Sequence, residues 1–329
     1  LALSLDIFRN ELSILDDLMY GFQADMFYTG APLERLNCLN QGAEYVQTSK
    51  DRETRFMGHS RRLKLAYEIC CPSGELTDAE TARAQFYLAI RSIIYKQTKG
   101  NTPDAEIMNS VVERMVEQAL SCTGVENIID DKKSEDLFST EFMQELNKVK
   151  MPITKFNALL KLLKRAIRDY GRTNKAKALE FAERLKRVVD EYNNRDNLAF
   201  ANEVAEDFVN NLSDRLYEIY NDLLTDKSSF EKMGISFEEK AFYDILVHVR
   251  DEHHFVYEDE KCIALARKIK KLVDDNSQFA DWATRSDIKS QLESELILLL
   301  YDNGYPPEWK KTVFEQVLEQ AENFKKYAY

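Results

Sequence analysis

Apolar residues recur every three or four positions through most of this chain, the spacing that sets one face of an α-helix against a core. Leu5, Phe8, Leu12, Leu15 and Met19 mark a first amphipathic helix from Leu3 to about Tyr20. Gly21 to Gly30 interrupts the pattern. Pro32 then opens a helix at a first-turn position, where its missing N–H costs nothing. A helix over 61–71 stops at Cys71-Pro72-Ser73-Gly74. Thr77 to Glu80 has the form of a capping box, in which the Thr77 hydroxyl and the Glu80 carboxylate each accept an orphan backbone N–H. The helix behind it carries Phe86, Ile90, Ile93 and Ile94 and ends at Gly100. Thr102-Pro103 repeats the start signal, and Val111, Val112, Met115 and Leu120 supply the next apolar face.

Between Thr123 and Pro152 the periodicity is lost and the residues are polar. Beyond it the spacing predicts helices over 153–170, 174–192, 196–224, 237–250, 258–275, 284–301 and 307–326. Gly234 ends one series, Ser236 to Glu239 is a second capping box, and Asn303-Gly304-Tyr305-Pro306-Pro307 stops one helix and restarts another. Leu296 to Tyr301 is apolar on every side and is expected to be buried all round. No segment of about 20–50 residues repeats, which disfavours a solenoid. The expectation is an all-α, multi-helix bundle in two lobes with little or no strand. Linker helices occupy 1–50, a first helical lobe 51–130, an irregular connection 131–152 and a C-terminal helical lobe 153–329.

Composition supports the helical reading. Ten glycines and six prolines in 329 residues leave too few turn residues for a strand-rich fold. A 44% hydrophobic content with 18 Phe and 16 Tyr can fill a sizeable core and excludes wholesale disorder. The formal charge of −12 argues against the whole surface binding nucleic acid or an anionic membrane. No apolar run approaches the roughly 18 residues of a membrane helix. Five cysteines without a C-x-x-C predict neither a disulfide framework nor a zinc knuckle, and suit a reducing, cytoplasmic setting. A start at Leu1, with no charged leader, is expected of a section of a longer protein rather than of a signal peptide.

Recognisable chemistry is scarce. Phosphate cradles need glycines in G-x-x-x-x-G-K or G-x-G-x-x-G order so that backbone N–H groups can reach oxygens, and the glycines here follow neither pattern. G-x-S-x-G and H-E-x-x-H are also absent. His248, Asp251, Glu252, His253 and His254 are close in sequence, but His248 and His253 stand five apart and face different directions on a helix, so no metal site is assigned. Glu238-Glu239-Lys240 matches the E-x-K element of a metal-dependent nuclease, with Pro103-Asp104 as an upstream half. Both fall at starts of helices instead of on adjacent strands. A stand-alone nuclease built on Glu238, Lys240 and the histidines is therefore kept as an alternative, alongside a helical scaffold with no nucleic-acid role. No catalytic residue is assigned.

One electrostatic feature stands out. From Lys148 to Arg187 there are 13 Lys/Arg against 3 Asp/Glu. Lys161, Lys164, Arg165, Arg168, Arg172 and Lys175 fall within an arc of about 100° if one helix runs past Gly171. Phe156, Leu159, Leu163, Ala166, Ile167 and Tyr170 lie opposite and are expected to face the core. Such a stripe can follow phosphates, and it can equally be a solvated or partner-docking face.

Ala241-Phe-Tyr-Asp-Ile-Leu246, Asp281-Trp282, Tyr305-Pro-Pro307 and Val317-Leu-Glu-Gln-Ala-Glu322 occur in a distinctive order. With them stand the helix from Arg62 to Cys71, Glu141-Phe-Met, and Ala178 to Leu185 leading to Glu191-Tyr-Asn193. This set resembles the C-terminal helical region of the restriction (R) subunit of type I restriction–modification enzymes, over about residues 50–329. The resemblance implies a parent subunit with a nuclease domain and an ATP-driven DNA-translocating motor, using ATP and Mg²⁺, none of whose motifs lies in this chain. It implies a helical coupling and assembly role for the chain, with no cofactor of its own. The implied partners are the methyltransferase and specificity subunits and double-stranded DNA. The matched residues also read as ordinary core: Phe242, Ile245, Leu246 and Val249 form one face, and Phe314, Val317, Leu318, Ala321 and Phe324 another. Tyr305 is expected to bury its ring and keep its hydroxyl in water.

Overall fold

The computed structural model describes residues 2–98, 151–197, 202–276, 285–306 and 310–327. Every regular element among them is helical. In chain order these are α1 (Ala2–Leu18), α2 (Asp25–Thr29), α3 (Pro32–Gln47), α4 (Lys50–Cys70), α5 (Asp78–Thr98), α6 (Pro152–Thr173), α7 (Lys175–Asn193), α8 (Asn202–Met233), α9 (Phe237–Glu252), α10 (Asp259–Asn276), α11 (Ser286–Asp302) and α12 (Lys310–Tyr327). The all-α expectation holds. The start signal at Thr102-Pro103, the apolar face from Val111 to Leu120, Asp104, Glu141, Asp281-Trp282 and most of the expected connection over 131–152 lie outside the described residues.

The helix limits follow local chemistry. Thr77 Oγ1 accepts the Glu80 N–H at 3.2 Å while Glu80 Oε2 accepts the Thr77 N–H at 2.9 Å, completing the first capping box. Ser236 and Glu239 complete the second, at 3.1 and 2.8 Å. Gly304 takes φ +67°, a left-handed conformation that lets the chain leave α11 without a Cβ clash. Two limits differ from expectation. α4 begins at Lys50, a full eleven residues early, because the Ser49 hydroxyl accepts the Arg52 N–H at 3.1 Å and caps a polar first turn that carries no apolar period. α8 runs on to Met233, just short of Gly234.

The chain divides into two compact units, Leu1–Leu162 with Val189–Asp214, and Leu163–Val188 with Arg215–Tyr329. In the first unit α1 packs on α4, and α3 and α4 both pack on α5. Phe8, Leu12, Leu15, Leu39, Phe56, Leu63, Phe86 and Ile90 form its core. Two helix starts here are capped by distant carboxylates. Glu44 accepts the Ile153 and Thr154 N–H groups of α6 at 2.5 and 3.0 Å. Asp196 accepts the Lys50 and Asp51 N–H groups of α4 at 2.8 and 2.7 Å. Each anion sits where the helix dipole favours it. Burial raises the Glu44 carboxyl above its ordinary value against the pull of those N–H groups. Buried Arg195 closes the arrangement, donating to Gln47 O at 3.0 Å, Tyr192 O at 2.9 Å and Glu53 at 2.8 Å.

In the second unit α9 packs on α10 and α12, and α11 on α10 and α12. Phe242, Ile245, Leu246 and Val249 are buried as expected, and so are Phe314, Val317 and Ala321. Tyr305 is a correction: its ring is 1% exposed and its hydroxyl, instead of meeting water, donates to Leu246 O at 2.9 Å. A carbonyl oxygen has a second lone pair beyond its helical bond, and at that depth it satisfies the phenol. The segment Leu296 to Tyr301 is a second correction. Leu296 and Leu300 are buried, but Leu298 and Tyr301 are 61% and 69% exposed, so α11 buries one face only.

Candidate nucleic-acid interface

The basic stripe is carried by α6, which runs through Gly171 to Thr173 and stops. Ile153, Phe156, Leu159, Leu163, Ile167 and Tyr170 are its buried side, with Ala166 half-buried. Lys161, Lys164, Arg168 and Arg172 are exposed on the opposite side, and Arg165 is half-exposed. Asp169 lies between two of the arginines, 4.0 Å from Arg165 and 3.5 Å from Arg172. Lys161, Lys164 and Arg168 form no ion pair among the described residues. Lys175 leaves the stripe: the chain breaks at Asn174, Lys175 starts α7, and its ammonium pairs with Glu319. The premise of one helix past Gly171 thus holds for two more residues and then fails.

The break has a built cause. The Asn174 carboxamide oxygen accepts the Lys177 N–H at 3.1 Å, capping α7, while its amide nitrogen donates to Asp244 at 2.5 Å. The Gln320 amide bridges the same turn, accepting from the Lys175 N–H at 3.0 Å and donating to Thr173 O at 2.9 Å. A Cβ on Gly171 would stand 3.3 Å from the Ala178 Cβ, so the absence of a side chain is what lets α6 and α7 close on each other at the turn. The Tyr170 hydroxyl donates to Asp226 at 2.6 Å.

Beneath this turn lies a buried charge cluster. Lys240 Nζ stands 2.5 Å from Asp244 and 3.1 Å from Asp226, with its side chain 4% exposed. One ammonium thus serves two carboxylates. Burial raises the Asp244 carboxyl, opposed by Lys240 and Asn174 and reinforced by the second carboxylate, Asp226. Burial and the Asp226 contact likewise push the Tyr170 phenol up. The cluster floors a cleft of about 260 Å³ between the α6–α7 turn and Lys227, Phe230 and Phe237.

This geometry separates the pieces of the nuclease alternative. Glu238 pairs with Lys270 at 2.8 Å, Glu239 caps its own helix, and Lys240 points into the buried cluster. All three sit on α9 and none on a strand. His248 and His253 each come 3.8 Å from Glu252, at the end of α9 where His253 is the C-cap. Among the described residues no group of three or more His, Cys, Asp or Glu side chains is gathered to hold a metal ion. The four described cysteines are free thiols. No helix among the described residues is long and apolar enough to cross a membrane.

One feature escaped the sequence reading. Asp169 restrains the stripe, and its spacing to Arg165 and Arg172 was a visible signal. Lys186 and Arg187, at the end of the basic segment and on α7, are exposed and unpaired among the described residues.

Residues 2–327 match the family model described as type I restriction enzyme HindI endonuclease subunit-like, C-terminal. The chain is 24% identical over 280 residues to the type I restriction enzyme HindI endonuclease subunit of Haemophilus influenzae, covering 83% of this chain and 25% of that protein. It is 21% identical over 267 residues to a putative type I restriction enzyme MjaIXP endonuclease subunit of Methanocaldococcus jannaschii, covering 79% of this chain and 24% of that one. The chain therefore spans about a quarter of the length of these curated relatives. No solved structure matches it.

Proposed function

Since this chain belongs to the family formed by the C-terminal regions of HindI-like type I restriction endonuclease subunits, we propose that it couples the motor and nuclease of its parent subunit to the methyltransferase and specificity subunits. In this reading the parent hydrolyses ATP with Mg²⁺, translocates and cuts DNA in the cytoplasm, and the chain itself carries no catalytic residue and no cofactor. The exposed face of α6, from Lys161 to Arg172, contacts the backbone of double-stranded DNA in the assembled enzyme. The observation that carries the reading is the outer face of α6. Its opposite face is buried core, and Lys161, Lys164 and Arg168 are exposed and without carboxylates among the described residues. A motor that moves along DNA needs contacts that do not depend on sequence, and phosphate contacts have that property.

The test is capture of the full chain by the cognate methyltransferase–specificity complex, with and without duplex DNA. Retention in a defined stoichiometry is expected, and no retention in either condition would overturn the coupling role. The clean chain is also expected to hydrolyse no ATP and to leave plasmid DNA intact with Mg²⁺. Cutting that disappears in Glu238→Ala would restore the nuclease alternative.

A further inference from the structure

The connection between α9 and α10 is short, strained and anchored from several sides. The chain leaves α9 through His254, whose φ of +55° is left-handed. Glycine is the usual residue in that conformation, and Gly21, Gly74, Gly234 and Gly304 take it elsewhere in the chain. The Phe255 N–H donates to Arg250 O at 3.3 Å and closes the turn. Burial then alternates: Phe255 is half-buried, Val256 exposed, Tyr257 buried and Glu258 exposed. Phe255 and Tyr257 both pack edge-on against Tyr305, with ring centroids at 5.2 and 5.1 Å. The Tyr257 hydroxyl donates to Asn303 O at 2.9 Å. Arg250 Nη1 donates to Tyr257 O at 2.9 Å and to Asp259 at 2.5 Å, joining the two ends of the connection.

Between these anchors Val256 is 97% exposed, the largest value for a bulky apolar side chain among the described residues. A lone exposed apolar residue on a helix is ordinary. One held at the tip of an anchored turn, beside a residue in an unfavoured backbone conformation, adds nothing to the core and points to a use outside it. The flanks are acidic. Residues 250–261 carry five carboxylates against two basic residues, Arg250 and Lys261. Asp251, Glu252, Glu258, Asp259 and Glu260 are all exposed. That charge repels phosphate, so the tip does not suit DNA, and it attracts lysine and arginine.

We propose that the Val256 tip is a docking knob for a protein partner that presents a small apolar pocket rimmed by lysine or arginine. The proposal rests on the coupling reading, under which that partner is the methyltransferase–specificity complex, and it uses no residue of α6. Val256 enters the pocket while Glu258 and Glu260 meet the basic rim. Tyr305 and Arg250 already fix the turn, so little conformational freedom is lost on binding. The exposed carboxylates around the apolar centre speed encounter and disfavour wrong partners.

The experiment measures the affinity of the full chain for the cognate methyltransferase–specificity complex, with and without duplex DNA, between about 50 and 200 mM salt. Val256→Ser is expected to bind about five- to tenfold more weakly and to keep the wild-type melting midpoint. Glu258→Gln/Glu260→Gln is expected to lose about two- to fivefold at low salt and to show a weaker salt dependence. Leu65→Ser removes an exposed apolar side chain from the other unit and is expected to bind as wild type does. Capture of wild type and Val256→Ser with equal affinity would overturn this site and leave the coupling reading standing. Failure to capture wild type in either condition would overturn that reading and this site together. Equal weakening in Leu65→Ser would mark the contact as unspecific and overturn the proposal. If wild type sediments as a dimer that Val256→Ser dissociates, the occupant is a second copy of the chain and the proposal falls.

Discussion

Lys240 and the lysines of α6 carry the same charge on helices of one chain, and the fold uses them in opposite ways. Lys240 is 4% exposed and is shared by Asp226 and Asp244. Lys161 and Lys164 are exposed and hold no carboxylate among the described residues. The lysine that sits in a nuclease-like triplet is thus consumed inside the fold. The lysines in an ordinary-looking amphipathic helix are the ones left available. A charge motif acquires meaning only when the partners that neutralise it are known. The comparison makes firm demands, because the buried cation should govern stability and the exposed ones should not.

The largest effect is expected from Lys240→Met. It leaves buried Asp244 beside half-buried Asp226 without a cation and should lower the unfolding free energy in urea by about 3–5 kcal/mol. A loss under about 1 kcal/mol would mean that the cluster is solvated. Next comes Asn174→Ala, which removes the α7 cap and the Asp244 contact together. We expect about 1–3 kcal/mol of destabilisation, read from the same denaturation curves.

A smaller signature lies in pH. Asp244 has a folded-state pKa above its ordinary 3.8, so the folded chain binds that proton more tightly than the unfolded chain does. Its contribution therefore falls as pH rises from 3.8 through the raised value, the reverse of an exposed, salt-bridged aspartate. Unfolding measured on that rise should show this negative slope in wild type and lose it in Asp244→Asn. An unaltered profile in the variant would assign the slope elsewhere. The smallest stability effect is expected from Asp169→Asn, within about 0.5 kcal/mol because its pairs are partly exposed and long. The same change removes the carboxylate beside Arg165 and should strengthen DNA binding by about two- to threefold in a salt titration.

Much of the helical framework could be read from local signals. The two capping boxes and the turn at Asn303 to Pro306 are chemistry between residues a few positions apart, and each is found where the spacing puts it. The apolar face of α6 is legible for the same reason. The limits that were missed depend on distant partners or on polar turns. α4 starts at Lys50 because Ser49 caps it and Asp196, 146 residues away, accepts from its first N–H group. The burial of Lys240 is equally hidden, since Asp226 reaches it from another helix and only Asp244 is a helical neighbour.

The most direct test of the account is the salt dependence of DNA binding by the assembled enzyme carrying Lys161→Gln, Lys164→Gln, Arg165→Gln and Arg168→Gln. Four lost phosphate contacts should make the slope of log affinity against log salt shallower by about 3 to 4, with assembly intact and the thermal midpoint unmoved. An unchanged slope would contradict the DNA role of α6, and loss of assembly in its place would identify that face as the dock for the methyltransferase.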